Sequence, residues 1–210
     1  MDSFRRLVLS VSLLALIASG LACSSSSSPA PTATTSRYVG TLAGTNVVVG
    51  LAVTDGNALL FFCGADATLT TMTHWMRGSA MLGQSFTLSD GVASATVAAA
   101  GSASATHLSG TFSVSASAKP VTFSLDLAQG ELEGVYTDQL SEGLVTLIVL
   151  ESGAHASVTA QGAFHDLTAK IEIEQVTPLN PLDLTAKGIA VDILVNGAKQ
   201  QVFVTPAVGD

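Results

Sequence analysis

Apolar and polar residues alternate with a period of two along most of the chain beyond residue 37. The clearest runs cover residues 47–53, 121–127, 171–173 and 189–195, where valine, leucine, isoleucine or phenylalanine occupies every second position. Successive side chains of a pleated strand point to opposite faces of the sheet. The pattern therefore predicts strands that bury one face and leave the other in water.

Turn signals separate these runs at Asp55-Gly56, Asp90-Gly91, Ser152-Gly153 and Asn196-Gly197. Tight hairpin turns need positive φ at their central residues, which glycine, asparagine and aspartate adopt most easily. Roughly ten to thirteen short strands fit between the turns. Because exposed sheet edges must be hidden, we expect an all-β, antiparallel up-and-down barrel or barrel-like meander, with a two-sheet β-sandwich as the alternative.

One segment carries mixed signals. Leu69, Met72, Trp75 and Met76 have helical spacing, but the threonines between them favour a strand. We predict a strand here, with a short helix as the alternative.

The N-terminal segment has the pattern of an export signal. Arg5 and Arg6 precede an apolar stretch at residues 7–17, and the small residues at 19–22 lead to Cys23. This resembles the signal peptide of a bacterial lipoprotein, in which the thiol is acylated and the chain is cut just before it. We therefore expect a signal peptide at 1–22 and lipidation at Cys23, the alternatives being plain secretion or an uncleaved anchor. The apolar run is shorter than the roughly 20 residues of a membrane-spanning helix.

The residues after Cys23 divide into a tether and one domain. Residues 24–36 are serine, threonine, proline and alanine, which cannot bury enough surface to fold. We expect residues 23–36 to form a flexible, lipidated tether and residues 37–210 to form a single all-β domain. Because Ser24 rather than aspartate follows Cys23, the expected location is the cell envelope, at the outer membrane in a Gram-negative cell.

Charge excludes some partners. Loss of residues 1–22 would leave six basic and fifteen acidic residues, a net charge of about −9. No basic patch with interleaved aromatic residues occurs, so we expect no nucleic-acid binding. Electrostatic attraction to anionic lipid is equally disfavoured, so the expected membrane contact is the covalent lipid.

Short motifs along the domain suggest a family. Tyr38-Val39-Gly40-Thr41 is followed by Gly44-Thr45, Phe62-Cys63, Trp75 with Gly78, Leu108-Ser109-Gly110 and Gly134-Val135-Tyr136. In this order the motifs, over about residues 37–162, resemble a family of uncharacterised exported bacterial proteins and lipoproteins. The resemblance implies an antiparallel barrel-like fold and no assigned activity.

The candidate metal ligands are histidines and carboxylates. His74, His107, His155 and His165 lack the spacing of a helical zinc site, although neighbouring strands would bring His155, His165 and either His74 or a carboxylate together. Five carboxylates also cluster in the sequence, and we expect Glu131 and Glu133 to share one face of a strand. The complete set is Asp126, Glu131, Glu133, Asp138 and Glu142. Independent surface residues are the preferred interpretation of both groups, so no metal or cofactor is expected.

Nucleophilic catalysis has little support. Gly83-Gln84-Ser85 lacks the second glycine of a nucleophile elbow. Cys63 directly follows the apolar residues 59–62 and is expected to be a buried, inert thiol.

Trp75 is the only tryptophan, and we expect it to pack in the core rather than to form a contact site.

These observations favour a non-catalytic, membrane-tethered lipoprotein whose domain binds an unknown small molecule or envelope protein. Small inward residues would leave room inside the barrel, and the candidates are Ala95, Ala99, Ala103 and Ala105. One alternative is a structural or protein-interaction lipoprotein without a pocket. The other is a hydrolase or metal protein of the envelope, which requires two or more of the four histidines, Glu131 and Glu133 to converge in one cleft.

Overall fold

The computed structural model describes residues 34–152, 157–167, 172–178, 181–195 and 197–209. These residues form fifteen strands, a 3-10 helix at Asp66–Thr68 and one short helix, α1 (Leu69–Met72). The prediction of an all-β fold is confirmed, with more strands than expected. The strands are β1 (Thr35–Leu42), β2 (Val48–Thr54), β3 (Asn57–Cys63), β4 (His74–Ser79), β5 (Phe86–Ser89), β6 (Ser94–Val97), β7 (His107–Ser113), β8 (Val121–Leu127), β9 (Gly134–Gln139), β10 (Gly143–Ser152), β11 (Ser157–Asp166), β12 (Glu172–Pro178), β13 (Leu184–Thr185), β14 (Gly188–Val195) and β15 (Ala198–Pro206).

The first eight strands close into an antiparallel barrel in chain order, which the pairing of β1 with β8 completes. Aromatic side chains fill its interior. The ring of Phe62 stacks on Phe112 with centroids 4.2 Å apart and meets Phe123 edge-on at 5.4 Å. Two of the four alanines expected to face inward, Ala99 and Ala103, are instead exposed in the β6–β7 loop. This barrel therefore has a packed core at the position where the sequence suggested space for a ligand.

The remaining strands form a second, seven-stranded antiparallel sheet in the order β12-β11-β10-β9-β15-β14-β13. The sheet curls into a half-barrel, and β12 also pairs with β14 through Thr177 opposite Asp192 and Pro178 opposite Val191. Its concave face encloses a separate apolar core that includes Tyr136, Leu147 and Phe164. Within the described residues, no helix has the length and apolar character needed to span a bilayer.

A third apolar cluster joins the barrel to the second sheet. Outward-facing residues of the barrel, such as Phe61, pack against Val135 and Ile148 of the second sheet. Every residue of β2 is consequently buried, because the strand has the barrel core on one face and the second sheet on the other. The packing is tight at Gly50, where an added Cβ would lie 2.5 Å from Cγ2 of Val135.

The strand predicted across residues 69–76 is wrong for its first half. Asp66–Thr68 is a 3-10 helix and Leu69–Met72 is α1, whereas β4 begins at His74. The short-helix alternative therefore describes residues 69–72. The hydroxyl of Thr68 accepts a hydrogen bond from the Ala65 backbone N–H, and this local bond replaces the sheet pairing that a strand would have.

The two ends of the barrel carry different loops. At the entry end, where the described chain begins, the Thr35 and Thr54 hydroxyls are 2.8 Å apart, and the Gly209 N–H donates to Thr54. Strand register places the Asp55-Gly56 turn and the loops 80–85 and 98–106 at this end. At the opposite end, called the far end, are α1 and the turn between β5 and β6.

Candidate functional site

A cleft of about 380 Å³, named here the Trp75 cleft, opens beside the far end of the barrel. It lies where β4 and the β5–β6 turn approach β11 and β12 of the second sheet. The pairing of β4 with β5 is a single residue pair, Arg77 with Ser89, so the barrel wall diverges next to this cleft. The lining residues are Thr70, Thr73, His74, Trp75, Asp90, Val92, His165 and Ile173.

Trp75 forms one wall of the cleft and links the barrel to the second sheet. Its ring lies between Phe61, at a centroid distance of 4.9 Å, and His165, at 5.5 Å. Its indole N–H donates a 2.8 Å hydrogen bond to the Thr146 hydroxyl, which is fully buried in β10. Both ring faces and the N–H are thus occupied, so Trp75 packs as a structural residue while its edge faces the cleft.

His74 and Asp90 form a hydrogen-bonded pair in the cleft, with Nδ1 of His74 2.6 Å from Oδ2 of Asp90. The other oxygen of Asp90 accepts the backbone N–H groups of Val92 and Ala93. The β5–β6 turn therefore fixes the carboxylate, and the carboxylate in turn orients the imidazole. His74 Nε2 is buried beside the Phe112 ring and has no hydrogen-bond partner among the described residues.

The pKa of Asp90 lies below the ordinary carboxyl value. Partial burial raises it, but hydrogen bonds from the Ala93 and Val92 backbone and from His74, together with the His74 charge, outweigh that effect. Asp90 is thus a carboxylate at neutral pH, and Nδ1 of His74 must be the donor in their hydrogen bond. Such an arrangement resembles an oriented general base, although the cleft lining contains threonine hydroxyls and neither serine nor cysteine.

The structure brings two of the four predicted histidines to this cleft. His165 lies on β11 between Leu144 and Ile173 of the flanking strands, and His74 approaches from β4. His107 is elsewhere on the barrel surface, where its Nδ1 is 2.8 Å from Asp126. His155 lies outside the described residues. Within the described residues, no group of three or more histidines, cysteines and carboxylates could hold a metal ion.

The expected acidic face on a strand is wrong. Glu131 and Glu133 lie in the loop before β9, beside a second cavity of about 280 Å³ that Arg37 also lines. Glu133 accepts the backbone N–H groups of Gln129 and Gly130, so its carboxylate organises the loop itself. Glu131 and Glu133 therefore do not converge with the histidines of the Trp75 cleft.

The other acidic candidates do not line the Trp75 cleft. Asp126 pairs with His107, and the Ser141 hydroxyl donates to the Glu142 carboxylate. Asp138 lies on β9 opposite Val145 of β10. These three carboxylates lie at separate places on the two sheets.

Of the two cysteines, only Cys63 lies within the described residues. Cys63 is fully buried, as expected, and burial raises its pKa to about 12, although a hydrogen bond with Gln161 acts to lower it. The thiol is therefore protonated and shielded at physiological pH. Cys23 lies outside the described residues, so its lipidation stays a prediction.

Several cleft residues were not identified as site residues from sequence. The sequence marks Asp90 only as part of a turn signal, and Val92 and Ile173 belong to no site motif. Asp90 lies 16 residues after His74, and the antiparallel register of β4 and β5, with Arg77 opposite Ser89, brings the two side chains to the same end of the strands. No local sequence signal encodes that contact.

Comparisons of the chain with protein-family models, with curated proteins and with solved structures find no match. The suggested relation to exported lipoproteins therefore stays a prediction.

Proposed function

We propose that the chain is a non-catalytic envelope lipoprotein, anchored through acylated Cys23, whose β domain binds a small, mainly apolar molecule in the Trp75 cleft. The cleft is the observation that carries the binding role. Its volume, about 380 Å³, lies within the usual range of small-molecule sites, although at the lower end. Trp75, Val92 and Ile173 provide apolar walls, while His165 and Thr70 provide polar groups that would orient a ligand.

The anchor in this proposal rests on the sequence. Arg5 and Arg6, the apolar residues 7–17 and Cys23 form the lipoprotein pattern, and residues 24–36 carry no charge. Acyl chains on Cys23 would hold the domain at the membrane surface, in the outer membrane of a Gram-negative cell.

Trp75 makes the binding proposal directly testable, because it is the only tryptophan in the chain and lines the cleft. The probe is 8-anilinonaphthalene-1-sulfonate, which fluoresces in apolar sites and accepts energy from excited tryptophan. We expect saturable binding of one probe molecule, with energy transfer from Trp75. Ile173→Glu, in the cleft, should weaken binding, whereas Met81→Glu, exposed at the entry end, should not. Equal binding by both variants, or none by the native protein, would contradict the proposed site.

The lipid anchor needs a separate measurement. The full chain is expressed in a host that processes lipoproteins, and its denatured mass is compared with that of Cys23→Ala. We expect the native chain to lack residues 1–22 and to carry the mass of added acyl chains. A chain cleaved at that position without added lipid would contradict the anchor and leave the cleft unaffected.

A protein-interaction lipoprotein without a bound ligand is the second candidate. The stack of Phe62 and Phe112 supports it, because the barrel interior is filled with side chains. Failure of the probe to bind, with lipid present on Cys23, would favour this function. The hydrolase alternative requires two or more of the candidate histidines and glutamates in one cleft, and His74 and His165 both line the Trp75 cleft. The buried position of His74 Nε2, however, gives a substrate no direct access to that nitrogen.

A further inference from the structure

The entry end of the barrel carries a surface that the binding role does not use. The loops 80–85 and 98–106 lie side by side there, since an added Cβ on Gly83 would lie 3.1 Å from the backbone nitrogen of Ala103. Neither loop contains a charged residue, although the chain has a net charge of −8. Met81 is 61% exposed, and Ala99 and Ala103 are also exposed. We call these two loops the neutral surface.

The neutral surface lies at the same end as the start of the described chain. Thr34 and Ser36 line a groove together with Met81, Leu82 and Ala103. The Trp75 cleft is at the far end, so the length of strands β3 and β4 separates it from the neutral surface. At about 3.5 Å per residue, the chain from Cys23 to Thr34 can reach at most about 40 Å. An anchor at Cys23 would therefore attach the domain to the bilayer through its entry end, over a span of at most about 40 Å.

We infer that the neutral surface rests on the zwitterionic headgroups of the bilayer, so that the Trp75 cleft faces away from the membrane. This inference rests on the proposed lipid anchor. The absence of charge in both loops lowers the cost of approaching lipid, and Met81 supplies an exposed apolar side chain. Protein-binding hot spots use tryptophan, tyrosine and arginine, and neither loop contains any of them.

Carboxylates near the neutral surface determine which headgroup charge it favours and how deeply it can enter the bilayer. Asp55 lies in the β2–β3 turn and lines the groove at the neutral surface, and Asp126 is exposed beside His107 at the start of β7. Glu131 and Glu133 lie in the loop after β8. These charges would be repelled by anionic headgroups and would not enter the hydrocarbon. The contact is therefore shallow and is strongest with zwitterionic lipid.

Two exposed positions allow a matched test. Met81 at the entry end is 61% exposed and Val92 at the far end is 72% exposed, so each can be replaced by cysteine without disturbing a core. Cys63 will not interfere, because it is buried and its pKa is about 12. Full-length, acylated Met81→Cys and Val92→Cys are bound to phosphatidylcholine vesicles and treated with a bulky polyethylene glycol maleimide. The same variants, expressed without residues 1–22 and with Cys23→Ala so that they carry neither the apolar segment nor lipid, give the reference labelling rates in solution.

We expect vesicle binding to slow labelling of Met81→Cys by at least about fivefold, through steric exclusion at the bilayer surface, and to leave Val92→Cys unchanged. Equal rates on vesicles and in solution for both variants would overturn the inference, as would selective protection of Val92→Cys. The intact mass distinguishes this failure from that of the proposed function. A chain without acyl mass overturns the anchor and the orientation together, whereas an acylated chain with unprotected Met81→Cys overturns the orientation alone.

Discussion

The hydrogen bond from Trp75 to Thr146 provides the sharpest test of how the barrel joins the second sheet. The indole N–H and the buried hydroxyl are 2.8 Å apart, and the same hydroxyl lies 3.2 Å from that of Thr137. Trp75→Phe keeps an aromatic ring and removes the donor. Thr146→Val keeps the shape of the side chain and removes the acceptor. The double variant removes both.

The expected free energies follow from burial. A buried polar group that loses its partner costs about 1–3 kcal/mol, and the net value of a hydrogen bond is about 1 kcal/mol. Thr146→Val leaves the indole N–H unpaired, whereas Trp75→Phe leaves the Thr146 hydroxyl its contact with Thr137 but loses apolar contact with His165. We therefore expect each single variant to lower the free energy of unfolding by about 1–3 kcal/mol. Neither group is left unpaired in the double variant, which should therefore cost about 1 kcal/mol less than the sum of the singles.

The assay is urea denaturation followed by far-ultraviolet circular dichroism, because Trp75→Phe removes the fluorescent reporter. The slope of free energy against urea concentration should be the same in all four proteins, so that midpoints report stability. Additivity of Trp75→Phe and Thr146→Val within about 0.3 kcal/mol would refute the reasoning. It would mean that the indole N–H does not bond to Thr146 in solution.

Three further predictions concern single sites. Asp90→Asn should lower the free energy of unfolding by about 1–2 kcal/mol at pH 7, whereas Asp126→Asn, whose side chain is 77% exposed, should change it by less than about 0.5 kcal/mol. Because the folded pKa of Asp90 is lowered, its stabilisation should be complete above the ordinary carboxyl value of about 3.9 and be lost as the pH falls through the folded pKa. Urea denaturation of the native protein and of Asp90→Asn at several pH values checks this. A difference in free energy of unfolding between the two proteins that grows as the pH falls would contradict it. Cys63 should resist a small thiol reagent in the native protein and react fully in denaturant, because the thiol is buried and its pKa is about 12. Rapid labelling of the native protein would contradict this and show that the barrel wall around Cys63 opens to solvent. Gly50→Ala should destabilise the protein by about 1–3 kcal/mol, measured by urea denaturation, because the new methyl group would collide with Val135, and an unchanged midpoint would indicate looser packing there.

Local signals in the sequence determined the strands and their turns. Alternation at residues 121–127 predicts β8, and the Asp55-Gly56 turn joins β2 to β3 with positive φ at both residues. These features depend on side-chain direction and backbone conformation, which neighbouring residues fix. The burial of Cys63 was also predictable, because it ends a continuous apolar run.

The division into a barrel and a second sheet could not be predicted in the same way, since both use the same alternating pattern. One local signal does distinguish β3, a strand that both sheets cover. Residues 58–63 are all apolar, and the structure buries both faces of β3, the inner one in the barrel and the outer one against the second sheet. A continuous apolar run is typical of a strand covered on both sides.

Tertiary structure alone decided the site. The sequence supplied His74, Trp75 and His165 as separate candidates, without showing that Trp75 stacks on His165 or that Asp90 orients His74. These contacts depend on strand register and on the way the second sheet packs against the barrel. Register is set by many distant residue pairs acting together, so no short segment of the chain encodes it.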